Sequence, residues 1–430
     1  MNNSKRALIP VISAFAISTF LAACGGGGSN DSTGSLPKSS AVSLSSSTSS
    51  TSSADASSSS SASSETNVCS AVNTVQGFAA IDDLDQPSQV TGGADQGEGN
   101  HEISVSNGVD LRNAVYGSAS VYKDKPLTIY VDGLITWENS NKADIRIERS
   151  NVSIIGRSAD AGFEGVGIEL KPKNTETPVQ NIIIRNLKMR LVPQAHGAGD
   201  IISLDGRNGP VRNIWIDHNE LYNALETEGC ASESCHKDYY DELVSGRADV
   251  RNVTISYNYL HDSWKTSLWG SSDTAAPGDK ERRITFHHNY WHKVNSRLPL
   301  FRFGEAHIFN NYYHDVAASG INVRMGAVMR IDGNVFEDVK NPIVSLDSSE
   351  LGHWTVADNQ FINISTSNGS CSASTPPCYG AHEQSTIADH QPAYDYQLIP
   401  VVEVKDHVME HAGVNKINAC LDFSNASSSD

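Results

Sequence analysis

The stretch VNSRLPLFRFG, Val294 to Gly304, places two arginines, Arg297 and Arg302, around a proline and a run of apolar residues. They stand in a 430-residue chain that carries 32 Lys and Arg against 50 Asp and Glu, a formal net charge of −18. Basic residues in so acidic a chain are most often solvated surface or structural ion pairs, so the pair needs context before it reads as chemistry. The charge argues against nucleic acid and equally against unaided binding of a polyanion. An acidic substrate therefore requires a local positive site or a bridging cation. Two further groups have the residue types of a catalytic centre. Asp217 and His218 have the form of an acid–base dyad, whereas His287 and His288 alternate along a strand and so are expected to face opposite ways.

The elements that must position these residues recur. Ile214–Leu221, Val253–Leu260, Ile284–Trp291, Ala306–Tyr313, Met329–Phe336 and Trp354–Phe361 each carry a short alternating strand, two further residues, an asparagine, and a large apolar residue within two positions. The asparagines are Asn219, Asn258, Asn289, Asn311, Asn334 and Asn359, spaced by 39, 31, 22, 23 and 25 residues. Spacings in the low twenties match one coil of a solenoid, and the longer ones leave room for loop excursions. Strands this short must pair with the same strand in the next coil, which gives parallel sheets with an inward apolar row. Asparagine tolerates a left-handed backbone, suits a tight bend, and would form a ladder in stacked coils. Val152–Gly156 and Ile182–Leu187 look like further coils. The fold expected is all-β: a right-handed, single-stranded parallel β-helix from about Val72 to Ile364, with a C-terminal tail packed on it and a helix near Val402–Ala412. A two-sheet sandwich would need more regular spacing and hairpin turns.

The two ends bound the setting. Lys5 and Arg6 precede an apolar run from Ala7 to Phe20 and then small residues up to Cys24, the pattern of an export signal. The segment Leu21-Ala22-Ala23-Cys24 resembles the lipobox of bacterial lipoproteins, which implies an acylated Cys24 and, with Gly25 after it, an outer-membrane or cell-surface location. Residues 25–66 are mostly Gly and Ser and read as a disordered tether, with an r.m.s. reach on the order of 30 to 40 Å. The folded domain is expected over 67–425. Six cysteines follow Cys24, an even count that suggests disulfides in an oxidising compartment, with Cys230–Cys235, Cys371–Cys378 and Cys69–Cys420 the expected pairs. The absence of any CxxC weakens a zinc reading.

The strings WIDHNEL, VTISYNYLHDSWK, RITFHHNYWHKVNSRLPLFRFGEAHIFNNYY and GINVRMGAVMRIDGNVFE, in that order, resemble the pectate lyases of polysaccharide lyase family 1. The match runs from Asp200 to about Pro342, with weaker echoes at Thr91–Gly93, IYVDGLIT and NIIIRNL. The resemblance implies cleavage of α-1,4-linked galacturonan by β-elimination. By position, Arg297 matches the base, Lys265 the lysine beside the scissile bond that holds a substrate carboxylate, and Arg302 a second substrate-binding arginine. An arginine base is unusual, since its ordinary pKa exceeds ~12; burial and neighbouring cations both disfavour the charged form. An alkaline optimum is expected. Trp264 and Trp269 flank Lys265, with Trp269 taken as a substrate-stacking residue.

Family members also hold Ca²⁺ with carboxylates. Asp200 and Asp241 match two ligands and Glu242 is a third candidate, but Ala198 and Ser245 stand where further carboxylates are usual. Either calcium is completed by substrate carboxylates, or Arg247 replaces the metal, as arginine does in related pectin lyases acting on methyl-esterified pectin. In this family the Asp217–His218 motif looks structural. A solenoid hydrolase such as a polygalacturonase and a non-catalytic surface pectin-binding protein are the rival readings. The partner expected is polygalacturonate; no oligomer and no redox or nucleotide cofactor is suggested.

Overall fold

Coil after coil places the same kind of residue at the same register. Ile129, Ile154, Ile184, Ile216, Ile255, Phe286, Ile308, Ile331 and Val356 form one continuous row across successive parallel strands. The structure is a computed structural model that describes residues 69–94, 101–116, 121–122, 125–367 and 382–421, all within the unit Ser58–Asp430. It is the expected right-handed parallel β-helix. One 16-stranded sheet has two arms, from His101–Val105 to His353–Ala357 and from Ile145–Ile147 to Ile343–Val344. The long strands Ile202–Asp217 and Val244–Ser256 run through both arms and join them. A nine-stranded sheet, from Leu134–Thr136 to Gln360–Ile362, closes the coil. Inside it, Trp291, Tyr313, Phe336 and Phe361 stack ring on ring at 5.8, 4.6 and 5.1 Å.

The asparagine ladder is present, but its mechanism differs from expectation. Each side-chain oxygen accepts the backbone N–H of the asparagine one coil earlier: Asn258 for Asn219, Asn289 for Asn258, Asn311 for Asn289, Asn334 for Asn311 and Asn359 for Asn334, at 2.9–3.0 Å. The residue that turns left-handed is the one before: His218, Tyr257, His288, Asn310, Gly333 and Asp358 all have φ between 49° and 62°. The backbone bends one residue early so that the asparagine amide can point along the solenoid and satisfy buried groups. That bend also overturns the expected separation of His287 and His288. Alternation fails at the left-handed His288, and the two rings meet through Nδ1–Nδ1 at 2.9 Å.

The N-terminal boundary is corrected as well. Paired coils begin at His101, not Val72, because residues 69–94 cross the outside of the sheet. There Val75, Ala79 and Val90 cover the outward-facing Ile183 and Trp215. Asp217 and His218 serve this docking. Asp217 accepts from Arg185 Nε at 2.7 Å, from His218 Nδ1 at 2.6 Å and from Ser256 Oγ at 2.6 Å, and Arg185 reaches on to Asn73 Oδ1 and the Val72 carbonyl. The helix Val401–His411 lies against the other flank through Val404 and Val408, which pack on Tyr312 and Val335. Cys69–Cys420 ties the ends and Cys230–Cys235 staples an excursion; the remaining expected pair, Cys371–Cys378, lies outside the described residues, as do the signal segment, lipobox and tether. Among the described residues no helix is long and apolar enough to cross a membrane.

Two predictions follow from this packing. Asn289→Ala removes the acceptor of the Asn258 N–H and the donor to the Ile255 carbonyl, both buried, and is expected to cost roughly 2–4 kcal/mol in chemical denaturation. Asn359→Ala, at the exposed end of the ladder, costs less; equal losses would contradict the ladder account. Secondly, burial holds His287 at about 3 against the nearby Asp217, so the fold favours its neutral form. The stability this contributes is complete above the unfolded value of 6.5 and is lost as pH falls towards 3. Between pH 6.5 and 5 the stability difference between wild type and His287→Gln should shift in the variant's favour by roughly 2 kcal/mol. A difference that stays constant over that range would refute it.

Candidate active site

The expected cations gather at the corner where the nine-stranded sheet hands over to the arm of the large sheet built from Val244–Ser256, Ser267–Trp269, Leu300–Arg302 and Ile321–Arg324: Lys265 ends the strand Tyr259–Lys265, Arg297 follows Tyr290–Ser296, and Arg302 closes Leu300–Arg302. In the opening stretch Leu298 and Phe301 point into the core while Arg302 faces out. Arg297 sits just before the strand with φ 68°, a left-handed backbone that side chains other than glycine seldom adopt, and its carbonyl accepts the Ser267 N–H at 2.8 Å. Its guanidinium Nη1 contacts Glu242 Oε1. Arg302 donates from Nε to Asp273 Oδ1 at 2.7 Å and from Nη1 to the Gly270 carbonyl at 3.0 Å. Lys265, nearly buried, holds Nζ 3.1 Å from Asp238 Oδ1 and 3.3 Å from Asp241 Oδ1. Asp238 belongs to the helix Glu233–Tyr239 of the excursion that Cys230–Cys235 staples.

Beside these cations lies a cavity of about 90 Å³ lined by Ala198, Asp200, Asp241, Glu242, Ser245 and Arg247, among others. Asp200 accepts the Glu242 N–H at 3.0 Å and the Ser245 hydroxyl at 2.6 Å. Burial, aided by Asp241, pushes Asp200 up to about 6 against those hydrogen bonds. Burial pushes Glu242 up to about 8, with Asp200 and Asp241 adding to it and Arg297 opposing. Glu242 Oε2 is buried and has no hydrogen-bond partner.

Among the described residues no three His, Cys, Asp or Glu side chains already stand as a metal-binding group. The donor chemistry nevertheless fits a hard cation: three carboxylates at one small cavity, two of them penalised by burial, and one buried oxygen without a partner. Arg247 enters the same cavity and also donates to Ser203 Oγ at 3.4 Å, so a positive charge is already present there.

One expected residue does not belong. Trp269 is fully buried, edge-on to Phe286 at 5.8 Å, with its Nε1 donating to Ser267 Oγ. In the three-residue strand Ser267–Trp269 the two end positions point inward, so this ring packs the coil rather than a sugar. Gly246, opposite it in register, makes room: a Cβ there would stand 2.5 Å from the ring. Trp264 is also occupied, donating to the Leu225 carbonyl of the excursion. A residue missed is Arg324, in register with Arg302 one coil on, nearly buried, with an unpartnered Nε and its Nη2 3.5 Å from Asp273. Its place was readable once INVR aligned with LFR as successive coils.

Comparison with known proteins decides the family. The family model described as Pectate lyase matches residues 68–417. The chain belongs to the pectate lyase family. A pectate trisaccharide-lyase of Bacillus licheniformis is 41% identical over 346 residues, covering 80% of this chain and 87% of that relative. A pectate lyase from Bacillus sp. N165, solved in complex with trigalacturonate, superposes with a TM-score of 0.66 at 32% identity, over 80% of this chain and all of that one. Pectate lyase C of Erwinia chrysanthemi, solved at pH 9.5 with 30 mM Ca²⁺, gives 0.63 at 26% identity, over 81% of this chain and 98% of that one.

Because Trp269 fills the coil, Trp269→Ala is expected to cost about 3–5 kcal/mol of stability. At a temperature where the variant is fully folded, its KM for substrate should stay within about threefold of wild type, measured in steady-state kinetics; a large KM rise with little loss of stability would restore the stacking role.

Proposed function

We propose that this chain, an enzyme of the pectate lyase family, cleaves α-1,4-linked polygalacturonate by β-elimination. The observation that carries the assignment of roles is the gathering of Arg297, Lys265 and Arg302 around one corner of successive coils, where Glu242 and Asp241 of the carboxylate cavity meet Arg297 and Lys265. Lys265 and Arg302 exchange their present carboxylate partners for those of the substrate, which fixes the sugar chain across the stacked coils. Arg297, in the neutral form that neighbouring cations favour, then takes the proton from C5. The C5–H electron pair becomes the C4=C5 double bond, the C4–O bond breaks, and the proton that Arg297 gained, passed on directly or through water, makes the departing oxygen a hydroxyl. Atoms and charge balance without any oxidant.

Asp200, Asp241 and Glu242 are the residues that would hold calcium. Bound there, it would supply positive charge to the uronate carboxylate and make the C5 proton more acidic. The pectate lyase C structure solved with calcium supports this reading. A second reading, a calcium-independent lyase on methyl-esterified pectin, is favoured by one observation, Arg247 in the same cavity. The N-terminal pattern supports export as a lipoprotein on a Ser/Gly tether over 25–66, with the catalytic domain over 67–425.

The test is ultraviolet absorbance of the new double bond. Signal on polygalacturonate that needs calcium and disappears with a chelator is expected; chelator-resistant signal on methylated pectin would select the second reading. Arg297→Lys is expected to lower kcat by about 10²-fold or more with KM nearly unchanged. Full activity in that variant would remove Arg297 from the chemistry.

A further inference from the structure

Glu242 belongs at once to the cavity and to Arg297. Its backbone N–H is fixed on Asp200 Oδ1 at 3.0 Å, so only its side chain is free to move between the two. One carboxylate oxygen, Oε1, meets the Arg297 guanidinium; the other, Oε2, is buried without a hydrogen-bond partner, in a residue that lines the cavity with Asp200 and Asp241. The side chain is nearly inaccessible, 2% exposed against 26% for Arg297, so water cannot screen a rival charge there. A guanidinium and a divalent cation cannot both be fully neutralised by this one carboxylate. Resting on the calcium reading above, we infer that Glu242 is a positioning residue that couples the two: it holds Arg297 away from the sugar until it turns to a cation in the cavity, and in doing so releases the guanidinium to the substrate.

The position of the residue makes the exchange local. Glu242 follows Asp241, whose Oδ1 lies 3.3 Å from Lys265 Nζ, so two consecutive residues supply counter-ions to both Lys265 and Arg297. Ser245, by donating to Asp200 Oδ2, leaves fewer free carboxylate oxygens in the cavity, and this places more of the cation's ligation on Glu242. Linkage then requires reciprocity: if a cation weakens the Arg297–Glu242 pair, the pair must weaken the cation's binding by the same factor.

Calcium titration of the intact protein by calorimetry, without substrate, tests this. Arg297→Ala should bind Ca²⁺ about tenfold or more tightly than wild type, and Glu242→Gln about tenfold or more weakly. In the Glu242→Gln background, adding Arg297→Ala should change affinity by less than about threefold, because the coupling acts through that carboxylate. Arg297→Met, which keeps the aliphatic stem, replaces Arg297→Ala if the latter does not fold. Unchanged affinity on removing Arg297, absence of binding in wild type and Arg297 variant alike, or equal tightening in both backgrounds would overturn the inference. The double-bond assay is independent of it: an active wild type with no coupling sinks only the exchange, and an inactive one sinks the proposed reaction.

Discussion

Everything in this molecule depends on one coil stacking on the next in register, and the asparagine ladder is what makes the stack hold at its tightest bend. At that corner the backbone cannot pair with itself within the coil. Each buried amide instead bridges to the neighbouring asparagine and to a carbonyl one coil earlier, as Asn311 does with the Asn289 N–H and the Phe286 carbonyl. The left-handed residue before each asparagine makes this possible, at a conformational cost that the buried hydrogen bonds offset. Parallel pairing has no hairpins to set register, so the ladder and the aliphatic row do so, and any slip would misplace every side chain on the outer face.

Register is also what makes the site. Lys265 lies in register with Ser296, the neighbour of Arg297, and Arg302 with Arg324, so parallel stacking brings residues 22 to 32 apart in sequence to within about 4.8 Å per coil. In a chain of net charge −18, such a row is neutralised by its own carboxylates: Asp238 and Asp241 hold Lys265, Glu242 holds Arg297, and Asp273 holds Arg302 and lies near Arg324. The cations are thereby kept extended and positioned in the absence of an anionic ligand. Binding a polyuronate becomes an exchange of carboxylates rather than a gain of new charge pairs, which favours recognition by geometry over sheer attraction.

Much of this was legible in the sequence because solenoids repeat. The asparagine spacing disclosed the coils, and the resemblance disclosed the two arginines of the opening stretch. The failures share a cause: local pattern does not say which side of a short strand faces in. Ser267–Trp269 is three residues long, so its alternation was compatible with either face, and only the contact of Trp269 with Gly246 and Phe286 settles it. His287 and His288 were read as opposed because the strand was assumed to continue through a residue that is already bending. The coils were expected from about Val72, but residues 69–94 cover apolar side chains on the outside of the sheet, a tertiary fact that no period in the sequence records.

The cavity shows the same limit from the side of chemistry. Replacing a carboxylate by Ser245 reads in sequence as a lost ligand, but in the structure the hydroxyl is bound to Asp200 and helps to keep that buried carboxyl oriented. Three carboxylates packed without a compensating cation are costly, and Asp200 and Glu242 register that cost in their raised pKa values. A fourth carboxylate at Ser245 would raise it further, while a hydroxyl lowers it. The hydroxyl thus gives up a possible anionic ligand for a cavity that tolerates being without a cation, in which any hard cation, which takes six to eight oxygens, would have to draw the rest of its shell from beyond these side chains.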